Sequence, residues 1–445
     1  MERYLARDAL LPGGWAKDVL VSVEEGEIVA VQTGASGPQP LAGPVLPGMA
    51  NLHSHAFQRA MAGLTELRGA AEDDFWTWRE LMYRFVERLT PDQAQVVAHF
   101  LYIDLLRHGY TAVAEFHYVH RPDGMLQAHL DAAREAGIAI TLMPSVYRWS
   151  GFGERPLQAR QQAFERDTDA VLEAYAGLAA RATPEVRIGV APHSLRAVDP
   201  AALAALVAGV PRDAPIHIHA AEQTREVDDC YAWSRMRPIE WLLANAGVDA
   251  RWCVVHATHM TEREVAGLAA SGAVAGLAPS TEADLGDGIF QGEAYLLAGG
   301  RFGIGTDSNT LIDPFAEVRQ LEWSQRLRAR RRNVLVDQSQ TPVGQRLWRA
   351  AAQGGGQALA QPIGSLAAGM RADLIVVDPD EPALAEQPIE HVLDAAIFGA
   401  CRRPVRDVMC GGRWIVSEGR HAREQDVYRR FRAAIARFDT IATAS

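Results

Sequence analysis

Lysine is nearly missing from this chain: Lys17 is the one lysine, so almost all of the positive charge is arginine. Cysteine is scarce too, and Cys230, Cys253, Cys401 and Cys410 form no CxxC pair, which argues against a disulfide framework and a thiolate zinc site. No run reaches the 18 consecutive apolar residues of a membrane-crossing helix. The first thirty residues carry Glu2, Arg3, Arg7, Asp8, Lys17 and Asp18 without the apolar stretch of a secretory leader, so a soluble, cytoplasmic protein is expected. A net charge of −11 disfavours nucleic acid or an anionic membrane as partner. A small molecule is the expected partner, and an anionic one would need a local basic pocket.

What is present is an ordinary globular composition, 48% apolar and 22% charged, over 445 residues. That length suits an α/β barrel of about 250 to 350 residues with a satellite domain. Strand-like runs at Leu46–His55, Thr111–Tyr118, Ile138–Tyr147, Val186–Ser194, Pro215–Glu222, Trp252–His259, Ala273–Ser280 and Arg301–Ser308 alternate with amphipathic segments such as Asp92–His108 and Asp131–Ala136. Thr261 and Asp199 are candidate helix caps. Eight strands in βα alternation predict a (β/α)8 barrel over 49–361. Short strands at Asp18–Val23, Glu27–Gln32, Ala372–Asp378 and Val405–Val416 predict a small β-sandwich domain built from 1–48 and 362–421, followed by a C-terminal helix over 422–445. Arg326–Arg332 (RLRARRR) reads as a solvated helix face.

Four elements carry chemistry at predicted strand ends, where barrel enzymes build their sites. Asn51-Leu-His53-Ser-His55 places two imidazoles at i and i+2, on one side of a strand, so both can meet one ion. In His217-Ile-His219-Ala-Ala-Glu222 the second histidine can bind metal, and Glu222 can shuttle a proton. His256 ends the sixth strand and Asp307, in Gly303-Ile-Gly-Thr-Asp307, the eighth. Each motif singly fits a buried residue that satisfies the backbone. Four in this strand order do not.

With HxH on strand 1, HxHxxE on strand 5, His on strand 6 and Asp on strand 8, the chain resembles the amidohydrolase superfamily along essentially its whole length. The resemblance implies a metal held by His53, His55, His219 and Asp307. Dinuclear members commonly bridge their ions with a carboxylated lysine; Lys17 lies outside the barrel and Val186–Ser194 offers no glutamate, which favours one Zn²⁺, with Fe²⁺ or Mn²⁺ as alternatives. The deaminase branch further implies that Asp307 accepts the water proton, His256 orients the water, and Glu222 protonates the leaving nitrogen.

The stretches around Gln58, Asp74–Arg79, Glu115–Tyr118, Ala191–Arg196 and Ala278–Gly288 resemble the N-formimino-L-glutamate deiminases of histidine degradation. Such a substrate joins two carboxylates to a cationic amidine. Arg196 with His193 is expected to hold one carboxylate, and Arg79, Gln58 and Tyr118 to hold the other or orient the amidine. A nucleobase would instead call for a stacking wall. The rival readings are a guanine or adenosine-type deaminase and the ring-opening imidazolonepropionase. A nucleic-acid deaminase of the HxE…PCxxC kind is excluded, because no CxxC occurs. A homodimer is expected.

Overall fold

A computed structural model describes residues 1–66, 74–336 and 341–436. Eight short parallel strands form the barrel: Met49–Ser54, Tyr110–His117, Ala139–Val146, Val186–Ile188 with its continuation Ala191–Pro192, Ile216–Ala220, Trp252–His256, Val274–Leu277 and Arg301–Ile304. Nearly all their residues are buried, the pattern of strands covered on both faces. The fourth strand is interrupted, and Pro192 has no N–H to continue the ladder. Single parallel pairings therefore close the ring there, Val190 with Ile216 and Ser194 with His219.

The other seam joins the first strand to the eighth. Thr306 and Asp307 donate their backbone N–H groups to the His53 carbonyl at 3.1 and 2.9 Å, and the His55 N–H donates to the Asp307 carbonyl at 2.9 Å. Gly305 allows this approach, since a Cβ there would stand 2.7 Å from both the backbone nitrogen and oxygen of His53. Two candidate ligands thus come from one strand and a third from its closing neighbour.

Helix signals in the sequence are realised physically. Thr90 caps Pro91–Arg107 through a reciprocal bond with Gln93, Thr261 caps Glu262–Ser271 with Glu264, and Asp199 caps Pro200–Gly209. The helix after the second strand is longer than its sequence pattern suggests, Met125–Ala136. The arginine run divides: Arg326 pairs with buried Glu322 at 2.7 Å inside the helix Pro314–Ala329, and the chain leaves the helix at Arg330.

The terminal β-structure is one continuous eight-stranded sheet, not two separate halves. It rolls over a core of Ala9, Val19, Val21, Ile28, Val45, Leu374, Val376 and Met409, and its free edge near Ile28 returns to bond Met370. The strand Glu2–Leu11 escapes sequence inspection because Arg3, Arg7 and Asp8 break its apolar alternation; it pairs with Gly14–Glu24, which contains Lys17. The stretch 362–421 also holds a helix, Val392–Phe398, packed on the helices Pro314–Ala329 and Val343–Leu359. Val45–Pro47 belongs to the terminal sheet and Met49 begins the barrel. The last described helix is Glu424–Ile435, whose Phe431 stacks on Phe100 at 4.0 Å; residues 437–445 of the expected helix lie outside the described residues. No described helix is long and apolar enough to cross a membrane.

Candidate metal centre and substrate cavity

Three imidazoles and one carboxylate converge at the strand ends. His53 Nε2 and His55 Nε2 lie 3.1 and 3.3 Å from His219 Nε2, and 3.5 and 3.4 Å from Asp307 Oδ1. Ligands about 2.0–2.1 Å from one tetrahedral ion stand ~3.3 Å apart, so the spacing fits a single ion at the centre. The tautomers fit as well. His55 Nδ1 donates to the Phe116 carbonyl at 2.8 Å and His219 Nδ1 to the His193 carbonyl at 2.9 Å, which leaves each Nε2 lone pair turned inward. Burial holds all three histidines uncharged, His55 down at about 3. Burial alone would raise the Asp307 carboxyl, but its contact with the His53 ring and the charge of His256 pull it well below the ordinary range.

The local backbone is strained for this purpose. Ala221, His256 and Asp307 adopt φ of +55°, +69° and +43°, a region that costs non-glycine residues on the order of 1–3 kcal/mol each. Asn309 offsets part of that cost, donating to the carbonyls of Asp307 at 2.9 Å and His55 at 3.1 Å and to Ser54 Oγ at 3.2 Å. Asn51 binds the same turn through Thr306.

Beside these candidate ligands stand Glu222 and His256, the groups expected to handle protons. Glu222 Oε1 lies 3.6 Å from His256 Nε2, and His256 Nε2 lies 3.7 Å from Asp307 Oδ2. Burial raises the Glu222 carboxyl, which His256 and Arg196 only partly counter. Burial works against a charged His256, yet Glu222, Glu282 and Asp307 around it hold its ring well above the usual value. Glu282 approaches the other ring nitrogen, Nδ1, at 3.4 Å and also accepts the Ala278 N–H, so it fixes the plane of His256.

All five expected substrate contacts line one cavity of about 680 Å³ with His55, His219, Glu222, His256 and Asp307. Gln58 Nε2 donates to Tyr118 Oη at 2.9 Å. Arg79, on the helix Phe75–Val86, lies over the rings of Trp76 and Tyr83 at 4.6 and 5.5 Å; it has no carboxylate partner among the described residues, and its Nε is buried without one. Arg196 is partly buried, its Nε fully so and without a partner, and it pairs with Glu222 at 3.7 Å. His217 does not face this cavity's chemistry: its Nε2 donates to the Ala358 carbonyl at 2.8 Å and ties the fifth strand to the helix Val343–Leu359.

Sequence reasoning missed several lining residues, among them Tyr83, Tyr147, Phe164 and Ser308. Tyr83 and Tyr147 are held together by Gln161, which donates to both hydroxyls at 3.2 and 3.1 Å. The cavity is accordingly richer in aromatic rings than the sequence reading foresaw, so a ring-lined wall does not by itself select a nucleobase. Glu115, in the Glu115–Tyr118 stretch, turns away from the cavity and accepts from Ala56 N–H, Ser54 Oγ and Tyr102 Oη, fixing the end of the HxH strand.

A family model described as the amidohydrolase family matches residues 45–415. The chain belongs to the amidohydrolase family. Amidohydrolases of this family are metal-dependent hydrolases, in keeping with the four-ligand cluster. A second model, the N-terminal domain of formimidoylglutamate deiminase HutF, matches residues 1–40. The chain is 50% identical to the formimidoylglutamate deiminase of Pseudomonas aeruginosa, across 97% of this chain and 98% of that protein. Among solved structures, an amidohydrolase from Brucella melitensis superposes with a TM-score of 0.92 at 43% identity, covering 98% of this chain and 99% of that one. An adenosine deaminase from Xanthomonas campestris, solved with bound zinc, shares the fold at a TM-score of 0.82 and 23% identity, covering 98% of each chain.

Proposed function

We propose that this amidohydrolase hydrolyses N-formimino-L-glutamate to N-formyl-L-glutamate and ammonia, a step of histidine degradation, with one Zn²⁺ held by His53, His55, His219 and Asp307. The single observation that carries the reading is the polarity of the cavity. Two partly buried arginines line it, Arg79 with no carboxylate partner among the described residues and Arg196 paired with Glu222 at 3.7 Å, while Asp307 stands among the three clustered histidines. An acidic amidine matches that distribution, with carboxylates toward the guanidinium forks and the amidinium toward Glu222. A neutral purine brings no carboxylate to either arginine. The near-full-length identity with the Pseudomonas aeruginosa deiminase supports the same substrate.

A divalent ion in this cage supplies Lewis acidity that makes hydroxide available from water near neutral pH. The residues do the rest. Asp307 accepts the proton of the attacking water, and His256, held by Glu282, orients that water toward the amidine carbon. Addition of the water oxygen converts the sp² carbon to a tetrahedral centre. Glu222 takes the hydroxyl proton of that centre and delivers it to the terminal nitrogen, the bond from carbon to that nitrogen breaks, and ammonia leaves with the formyl group retained on the glutamate. His193 and Arg196 hold one carboxylate, and Arg79, Gln58 and Tyr118 orient the opposite end. The barrel 49–361 with a terminal domain from 1–48 and 362–421 is the working division of the chain, and a cytoplasmic homodimer the expected state.

The reading is tested by ammonia release from N-formimino-L-glutamate beside guanine, adenosine and 4-imidazolone-5-propionate. The acyclic amidine should be turned over fastest. Faster turnover of a purine, or ring opening without ammonia, replaces this reading with one of its rivals.

A further inference from the structure

Asp287 has no part in the chemistry above, yet it is the best-anchored carboxylate with an idle oxygen beside it. It lies in the turn after the helix Pro279–Asp284, a turn made by Gly286 and Gly288 at φ of +68° and +129°. Its N–H donates to the Glu282 carbonyl at 2.9 Å, its own carbonyl accepts from His259 Nε2 at 2.8 Å, and Gln223 donates to Oδ1. Three bonds from three segments thus fix the residue. Its other oxygen, Oδ2, is buried and has no hydrogen-bond partner. A ligand-type atom of Asp287 lies within 4.8 Å of one from Glu222 and one from His256.

An unpaired buried carboxylate oxygen is costly unless something occupies it during the working cycle. Two hydrogen bonds of about 2.8 Å at one tetrahedral nitrogen put the oxygens ~4.6 Å apart, a span that the upper limit of 4.8 Å between Asp287 and Glu222 admits.

We propose that Asp287 Oδ2 receives the second N–H of the departing nitrogen, so that Glu222 and Asp287 together grip the leaving group as it becomes ammonia. This rests on the deiminase reading. The proton still comes from Glu222; Asp287 accepts a hydrogen bond that strengthens as positive charge gathers on the nitrogen, and exchanges no net proton. The terminal nitrogen must then keep both hydrogens, and the site selects primary leaving nitrogens over alkylated ones.

The test uses metal-loaded full-length enzyme with N-formimino-L-glutamate and with its analogue methylated on the terminal nitrogen, which releases methylamine. The wild type should favour the unmethylated substrate in kcat by on the order of 10-fold, with similar KM. Asp287→Asn keeps an oxygen for Gln223 but turns a donor toward Glu222. It should lower kcat on the parent substrate by about 10-fold at little-changed KM and shrink the preference against the methyl group. Unchanged kcat and unchanged preference in Asp287→Asn overturn the assignment, as does equal kcat for both substrates in the wild type, a result independent of how the variant folds. Failure of the wild type to release ammonia from the parent substrate refutes the deiminase reading instead.

Discussion

His193 and His219 divide one job between backbone and ring. The His193 carbonyl accepts Nδ1–H of His219 at 2.9 Å and fixes that imidazole for the metal, while the His193 ring lines the substrate cavity 4.9 Å from the His219 ring. In the proposed mechanism the metal role belongs to the main chain and the substrate role to the side chain. His193→Ala should therefore leave about one divalent ion per chain, as in the wild type, while raising KM. Metal analysis with steady-state kinetics checks both, and metal lost from the variant would show that the ring holds the site. In either protein a chelator should abolish activity and Zn²⁺ restore it; two tightly bound ions per chain would contradict the single-ion cage.

Glu222 is the carboxylate placed to protonate the leaving nitrogen, 3.6 Å from His256 and raised by burial. Glu222→Gln keeps its size and removes the transferable proton. Turnover should fall by on the order of 10²-fold or more with the melting temperature little changed. Near-normal turnover would take Glu222 out of the mechanism.

Arg196 is partly buried, with its Nε unpaired and Glu222 at 3.7 Å. Arg196→Met retains most of the volume and loses the fork. KM should rise on the order of 10-fold or more, with a smaller change in kcat. An unchanged KM would rule out the carboxylate clamp.

Gly305 tests the barrel seam. A methyl group there meets the His53 backbone at 2.7 Å, which cannot swing aside as a side chain would. Gly305→Ala should cost about 1–3 kcal/mol of stability and weaken metal retention together. Calorimetry and metal analysis measure the two effects; full stability with full metal content would show that the seam tolerates separation.

The eight barrel strands and the HxH pair are legible in the sequence because they rest on short-range rules: buried runs of four to eight residues, and imidazoles two apart on a strand. What was not legible depends on partners far away in the chain. Glu2–Leu11 has a charged face that hides its strand character, and its pairing with Gly14–Glu24 and Val45 decides it. Asn309 looks like a loop residue until its three bonds to Ser54, His55 and Asp307 are seen. Tyr83 and Tyr147 reach the cavity through Gln161, a polar residue in a segment with no motif of its own. Asp287 lay inside a stretch whose resemblance was noticed, yet its idle oxygen has no trace in the sequence.

The central claim is that water attacks the amidine carbon and the terminal nitrogen leaves. Hydrolysis of N-formimino-L-glutamate in ¹⁸O-labelled water, followed by mass spectrometry, tests it directly. One ¹⁸O is expected in the formyl group of N-formyl-L-glutamate, with one ammonia per turnover. Formamide and free glutamate, the products of cleaving the other carbon–nitrogen bond, would contradict it.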